Sequence, residues 1–239
     1  MLVTRPQPGA ARTARRLAEL GHRPVELPLT KTVALPVDET SLGPAADAVA
    51  VTSANALRHA PASLLARLAD RPCFAVGERT AAEARERGFR KVTAAAGDAA
   101  SLAGLIEERV RSGATVAYLT GKVRLGDFEV RAVDAGMNFV VAETYDTQDI
   151  DYPPQRLAEI FGAEPIDAVL LYSANAAGCF SRLRRPEGFE DLMARAAYLC
   201  MSSRVADRLA KQTKARILVA PEPSEAALLG LLEHVAGRP

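Results

Sequence analysis

Short apolar runs alternate with longer amphipathic ones along the whole chain. Residues 1–4, "MLVT", predict a strand. Residues 10–21, "AARTARRLAELG", predict a helix with Ala11, Ala14, Leu17 and Ala18 on one face, closed by Gly21. "HRPVELPL" reads as a second strand. Residues 30–45, "TKTVALPVDETSLGPA", then break the rhythm: Thr32, Val33 and Leu35 suit a strand, but prolines, a glycine and polar residues follow, which predicts a connector. Strands "DAVAVT", "PCFAVG", "RKVTAA", "TVAYLTG" and "NFVVAETY" come next, separated by helical runs that begin at Ala54, Glu78, Ala99 and Leu125. The polar "DTQDIDYPP" interrupts again, and strands "DAVLLYS", "AYLCMS" and "ARILVAP" close the pattern, each between helical runs. Strands alternating with crossover helices predict parallel sheets covered on both faces, an α/β fold.

The pattern repeats. "DAVAVTSANALR" from Asp47 and "DAVLLYSANAAG" from Asp167 place Ser53 and Ser173 120 residues apart, half the chain. "LVTRPQPGAARTARRLAELGHRPVELPLTKT" corresponds to "AYLTGKVRLGDFEVRAVDAGMNFVVAETYDT", with Gly21 matching Gly136. "CFAVGERTAAEARERG" corresponds to "YLCMSSRVADRLAKQT". Two copies of one α/β unit are therefore encoded, meeting near residues 112–114. The connectors lie elsewhere, near 31–45 and 144–153, which predicts a discontinuous domain.

Composition narrows the function classes. A chain of 239 residues with 49% apolar content fills one large α/β domain or two small ones. Its 30 basic and 29 acidic residues are dispersed, without the concentrated basic face of a nucleic-acid-binding protein. Cys73, Cys179 and Cys200 form no C-x-x-C pair, and His22, His59 and His234 form no H-E-x-x-H, so buried thiols and surface imidazoles are expected rather than a metal site. The N-terminal "MLVTRPQPG" runs into a strand and turn, and no apolar run reaches the roughly 18 residues of a membrane span. The expectation is a cytoplasmic protein without a membrane partner.

In open parallel sheets, ligands bind beyond the carboxyl ends of the strands. The candidate turns are Thr4-Arg5-Pro6, Thr52-Ser53-Ala54-Asn55, Val76-Gly77-Glu78, Thr120-Gly121-Lys122, Tyr172-Ser173-Ala174-Asn175 and Met201-Ser202-Ser203. Five of these six hold Ser or Thr, which cap helices and leave the first amides directed outward, a setting for an acidic ligand. Any one such residue is accounted for by capping; their recurrence on corresponding edges is what points to binding. No G-x-G-x-x-G follows the first strand and no P-loop is present, which disfavours a nucleotide cofactor and a reductase or transferase reading. Ser53 has no G-x-S-x-G elbow, which disfavours a serine hydrolase.

"LVTRP" with "LAELGH", "AVTSANA", "FAVGERTAAEARERGF", "ETYDT", "VLLYSANA" and "APEPSEAALLGLL", in this order, resemble the uroporphyrinogen-III synthase family over essentially the full chain. The resemblance implies two flavodoxin-like parallel-sheet domains joined by a two-stranded antiparallel linker, the first domain discontinuous. On this chain that gives 1–34 with 150–239, then 42–143, with linker strands at 35–41 and 144–149. It implies cyclisation of hydroxymethylbilane, a linear tetrapyrrole rich in carboxylates, with loss of water and inversion of its last ring, and no cofactor or metal. As to partners, it implies a monomer, with transient contact to the preceding pathway enzyme. The family motif also places a tyrosine in "ETYDT", which makes Tyr145 the candidate acid for the departing hydroxyl, since a phenol is protonated at neutral pH. Thr52, Ser53, Thr80, Ser173 and Asn175 are candidate carboxylate contacts, Arg5 and Arg124 candidate cations, and Ser202 and Ser203 take the place of Thr80 in the second copy, where Val205 pairs with it. The other function class is a two-domain small-anion binding or sensor module with the same fold and no catalysis.

Overall fold

The computed structural model describes residues 1–40, 42, 46–124, 126–134, 136–210 and 215–235. The expected ends of helices at 125, 211–212 and 236–237, and of the linker at 41, lie outside the described residues. The chain opens with β1 (Leu2–Val3), α1 (Gly9–Glu19), β2 (Val25–Glu26) and β3 (Thr30–Ala34). It continues through β4 (Ala48–Val51), α2 (Ala54–His59), α3 (Ala62–Leu68), β5 (Pro72–Ala75), α4 (Glu78–Glu86) and β6 (Lys91–Ala94). Next come α5 (Ala99–Arg109), β7 (Thr115–Gly121), α6 (Asp127–Asp134), β8 (Asn138–Asp149), α7 (Pro154–Phe161), β9 (Ala168–Leu171) and α8 (Ala174–Ser181). α9 (Phe189–Met193), β10 (Ala197–Cys200), α10 (Ser203–Ala210), β11 (Ile217–Val219), α11 (Glu225–Gly230) and α12 (Leu232–Val235) complete it.

The fold is mixed α/β with parallel-dominated sheets. Two compact units divide the chain: Met1–Lys31 with Gln148–Pro239, and Thr32–Thr147. The first holds a five-stranded sheet in the order β11-β10-β9-β1-β2; the second sheet runs β3-β8-β7-β4-β5-β6. With β7 and β8 matched to β1 and β2, and β4, β5 and β6 to β9, β10 and β11, the two orders are the same, as the sequence repeat requires. The matched turn glycines agree: Gly21 and Gly136 both have positive φ, +82° and +73°.

β4 and β9, the runs that precede Ser-Ala-Asn, are buried at every residue, because helices cover both faces of the sheets. In the first unit Leu2, Val169, Leu171 and Tyr198 face one core, and Val3, Leu170 and Leu199 the other. In the second, Val49, Val51 and Leu119 face one core, and Ala48, Phe74, Val116 and Tyr118 the other.

Some elements differ from the pattern's expectation. The strand expected to end at Tyr145 continues to Asp149, because β3 lies beside it and pairs the backbone of a polar stretch. The N–H of Leu35 donates to the Thr144 carbonyl and that of Ile150 to the Leu29 carbonyl, so the numbering runs in opposite directions and the pair is antiparallel. The paired segment is Thr30–Ala34, and residues 35–40 are not strand. The helix from Ala54 breaks at Ala60-Pro61, where proline disfavours helical geometry in the residue before it. Helix α1 buries Ala10, Thr13, Ala14 and Leu17, the i, i+3, i+4, i+7 spacing of one helix face, while Ala18 is exposed; Thr13 belongs to that face despite its hydroxyl, which bonds to Glu225. Among the described residues no helix is long and apolar enough to cross a membrane, and no group of three or more His, Cys, Asp or Glu could hold a metal ion.

Candidate functional site

In the second unit, the carboxyl ends of β4 and β7 open onto a cavity of about 290 Å³. Thr52, Ser53, Asp98, Tyr118, Arg124 and Tyr145 line it, with the bare backbone of Gly121 among them. Four candidates from the sequence, Thr52, Ser53, Arg124 and Tyr145, are thus brought together. Thr80 is not among them; it is 6% exposed, on the buried face of α4. A second cavity in this unit, about 510 Å³, lies against Leu64, Arg67 and Leu68 of α3 and contains none of the strand-end candidates.

Each side chain has a local reason for its place. Ser53 has extended backbone and accepts from the Asn55 N–H at 3.2 Å, capping α2. The Thr52 hydroxyl meets the Tyr118 hydroxyl at 3.0 Å. Asp98 caps α5, accepting from the Ser101 N–H at 2.7 Å, and these bonds hold its carboxyl below the usual range. Arg124 donates to Glu143 at 2.7 Å, to Glu129 at 3.0 Å, and to the carbonyls of Gly121 and Lys122 at 3.3 Å each. Burial alone would lower its pKa, but the bonds to Glu129 and Glu143 outweigh that and raise it. The guanidinium is a fixed cation whose donors are already engaged, so an incoming carboxylate would compete with a glutamate.

Tyr145 is placed by a break in strand register. On the β7–β8 ladder Thr120 faces Glu143, but Gly121 faces Tyr145, which leaves Thr144 as the extra residue of a β-bulge. The Tyr145 ring lies over Gly121, and its hydroxyl would stand 3.0 Å from a β-carbon there. The ring also stacks on His59, with ring centroids 5.8 Å apart and planes 29° from parallel. The sequence reading placed His59 among surface imidazoles; it is instead half-buried, its Nε2 2.8 Å from the Thr32 hydroxyl. Burial, then the charges of Arg58 and Arg87, lower its pKa and favour the neutral ring.

The first unit carries the other candidates at its own strand ends. Arg5 follows β1; its guanidinium donates to Glu225 at 3.0 Å and to Thr13 at 3.3 Å, and stacks 4.4 Å above the Tyr172 ring. Thr13 and Tyr172 also donate to that Glu225 oxygen, the latter at 3.4 Å. Ser173 caps α8, accepting from the Ala176 N–H at 3.1 Å. The Asn175 amide donates to Asp149 at 3.3 Å, and Arg182 donates to the other Asp149 oxygen at 2.7 Å. Ser202 is half-buried and Ser203 exposed at the start of α10. Asn175, Arg204 and Arg208 line an open depression of about 450 Å³.

A family model described as Uroporphyrinogen-III synthase HemD matches residues 11–230. The chain belongs to the uroporphyrinogen-III synthase family. Membership makes it an enzyme of haem biosynthesis, of the cyclising lyase type. Among solved structures it is similar to the uroporphyrinogen-III synthetase of Helicobacter pylori 26695, with TM-score 0.67 and 19% identity over 88% of this chain and 92% of that one. It is also similar to a mutant uroporphyrinogen III synthase of the extremely thermophilic bacterium Thermus thermophilus, with TM-score 0.56 and 18% identity over 98% of each chain. At these identities the likeness is one of fold. No curated protein matches the chain.

Tyr118, Gly121, Asp98 and His59 are residues of this site that sequence reasoning did not select. Gly121 sat inside a candidate turn, "LTGK", but nothing local says which ring lies over it. Tyr118 reads as a core strand residue, and it is one, at 1% exposure; only its hydroxyl reaches Thr52.

Proposed function

We propose that this chain cyclises hydroxymethylbilane to uroporphyrinogen III without a cofactor, and that Tyr145 supplies the acid. The phenol gives its proton to the departing hydroxyl as the carbon–oxygen bond breaks, water leaves, and the pyrrole π system supplies the electron pair to the carbon left behind. The new bond forms at the substituted α-carbon of the last ring and gives a spiro intermediate. The older methylene bond at that carbon then breaks, the neighbouring pyrrole supplying electrons to the released methylene carbon, which rejoins the last ring at its free α-carbon and so inverts it. The proton lost there as the pyrrole regains aromaticity returns to the phenolate. The observation that carries the reading is the family match over 11–230. In support, Tyr145 lines a cavity that also holds the hydroxyls of Thr52 and Ser53 and the guanidinium of Arg124.

The cavity, about 290 Å³, is at the lower edge of pockets that enclose a drug-sized ligand, roughly 300–1,000 Å³. It fits one substituted pyrrole with its acidic arms, so the rest of the substrate lies outside it. Within the first unit, Ser173, Asn175, Ser202 and Ser203 are contacts for acidic groups at its own strand ends; Thr80 supports the start of α4, and Arg5 braces the loop after β1. The units are two flavodoxin-like domains, a reading supported by the order β2-β1-β9-β10-β11 and its copy in the second sheet. β3 with the end of β8 is their linker. The enzyme works as a cytoplasmic monomer.

Isomer I forms spontaneously from the same substrate, so the enzyme's task is mainly geometric. The deciding experiment supplies freshly made hydroxymethylbilane and resolves the isomers by chromatography. Predominant isomer III is the expected result. Isomer I alone, at the rate of the blank, would overturn the reading and favour a binding module.

A further inference from the structure

We propose that His59 is a positioning residue for Tyr145, and that with the bulge at Thr144 and the bare face of Gly121 it forms a slot that fixes the direction of the phenol. The inference rests on the reading of Tyr145 as the acid, but its geometry stands apart from it. Strand alternation sets the first condition. Val140 and Ala142 of β8 face the core that contains Ala56 and Leu57 of α2, and Phe139 faces the opposite core. An unbroken strand would put Tyr145 on the side of Phe139. Yet Tyr145 packs against the same core as Val140 and Ala142, because the extra residue at 144 shifts the alternation by one.

The bulge is itself tied down. Thr144 is fully buried, and its hydroxyl lies 2.8 Å from the Ala56 carbonyl and 3.3 Å from that of Thr120, joining α2 to the end of β7. Thr144 and Tyr145 therefore both turn toward α2, which brings the phenol ring against His59. The second wall is Gly121, where a β-carbon would meet Tyr145 Cζ at 2.6 Å. The third is the His59 ring, held by Thr32 across 27 residues of sequence. A ring packed against both Gly121 and His59 keeps one direction for its hydroxyl, and an acid held in one direction needs no reorganisation when the leaving group arrives. His59 is not among the residues that line the cavity; it acts through Tyr145, which is.

The test uses His59→Ala, His59→Phe, Thr32→Val and Tyr145→Phe in the full chain, with kinetics and the ¹³Cζ resonance of labelled tyrosine. In His59→Ala we expect kcat to fall about tenfold with KM within about twofold, the pattern of a misplaced acid rather than lost binding. His59→Phe keeps a stacking face and should recover to within about threefold of wild type. Thr32→Val, which removes only the anchor, should show the same change more weakly. The double variant His59→Ala/Tyr145→Phe should be no slower than Tyr145→Phe alone. The Tyr145 resonance should move in His59→Ala and stay in His59→Phe. An unmoved resonance with wild-type kcat in His59→Ala would overturn the proposal, as would a double variant slowed by the full His59→Ala factor. Wild-type turnover in Tyr145→Phe beside a moved resonance would sink the acid reading and leave the slot standing.

Discussion

The phenol ring of Tyr145 lies so close to the α-carbon of Gly121 that a β-carbon there would fall 2.6 Å from Tyr145 Cζ and 2.9 Å from Cε1. Contacts that short force one partner to move, and the ring is the more movable. Gly121→Ala should therefore displace the phenol. We expect turnover to drop at least tenfold and stability by about 1–3 kcal/mol, the usual cost of overpacking. Steady-state kinetics and urea unfolding check both; full activity would show that the ring's place does not matter.

Tyr145→Phe keeps the ring, its stack on His59 and its fit over Gly121, and removes only the hydroxyl. Turnover should fall substantially with an unchanged melting curve, and isomer I should rise in the product as the spontaneous reaction competes. A wild-type rate would take Tyr145 out of the mechanism.

Ser53→Ala removes the cap bond to the Asn55 N–H, for which about 1 kcal/mol of stability is expected to be lost. Activity should change little, because the backbone amides at the start of α2 remain. A large loss of turnover at unchanged stability would assign the hydroxyl a direct part in binding.

Glu225 accepts from Arg5, Thr13 and Tyr172 at once. Burial would raise its pKa, but the Thr13 hydroxyl and the Arg5 charge outweigh that and hold it below the ordinary value of 4.5. Because its folded pKa is lower than its unfolded one, its contribution to stability is complete above about pH 4.5 and is lost as pH falls through the folded value. Glu225→Gln should flatten the acid limb of the stability profile below that pH and cost stability at pH 7. A chemical denaturation series from pH 3 to 7 measures it, and an unchanged slope would contradict the assignment.

Cys73 and Cys200 are buried, and burial pushes both thiols up to about 12. Neither should react with iodoacetamide at pH 8 in the native protein within the time that labels the unfolded chain. Mass spectrometry of the two peptides reports it, and rapid native labelling would contradict their burial.

The alternation, the repeat and the turns that end β4 and β9 could be read from one dimension because they depend on neighbours in sequence. An apolar run of four before Ser-Ala-Asn has one economical use, a strand buried on both faces and a capped helix after it. The same logic identified Gly21 and Gly136 as matching turns. The pattern alone took the polar "DTQD" for an interruption, where the resemblance put a strand at 144–149, since what keeps those residues in strand is a partner more than a hundred positions earlier, β3. It offered Arg5 and Arg124 as candidate cations, and could not show that each is engaged by carboxylates that the fold brings from elsewhere.

Sequence alone determined the parallel α/β plan, the duplication and the family, because periodicity, order and turn residues are local properties that a chain carries unfolded. Tertiary structure decided how the site is assembled. That His59 meets Tyr145, that the ring crosses Gly121, and that one extra residue at Thr144 turns the phenol to the other side of the sheet all depend on register between distant strands. Register is settled by packing and backbone pairing, which no single stretch of sequence contains.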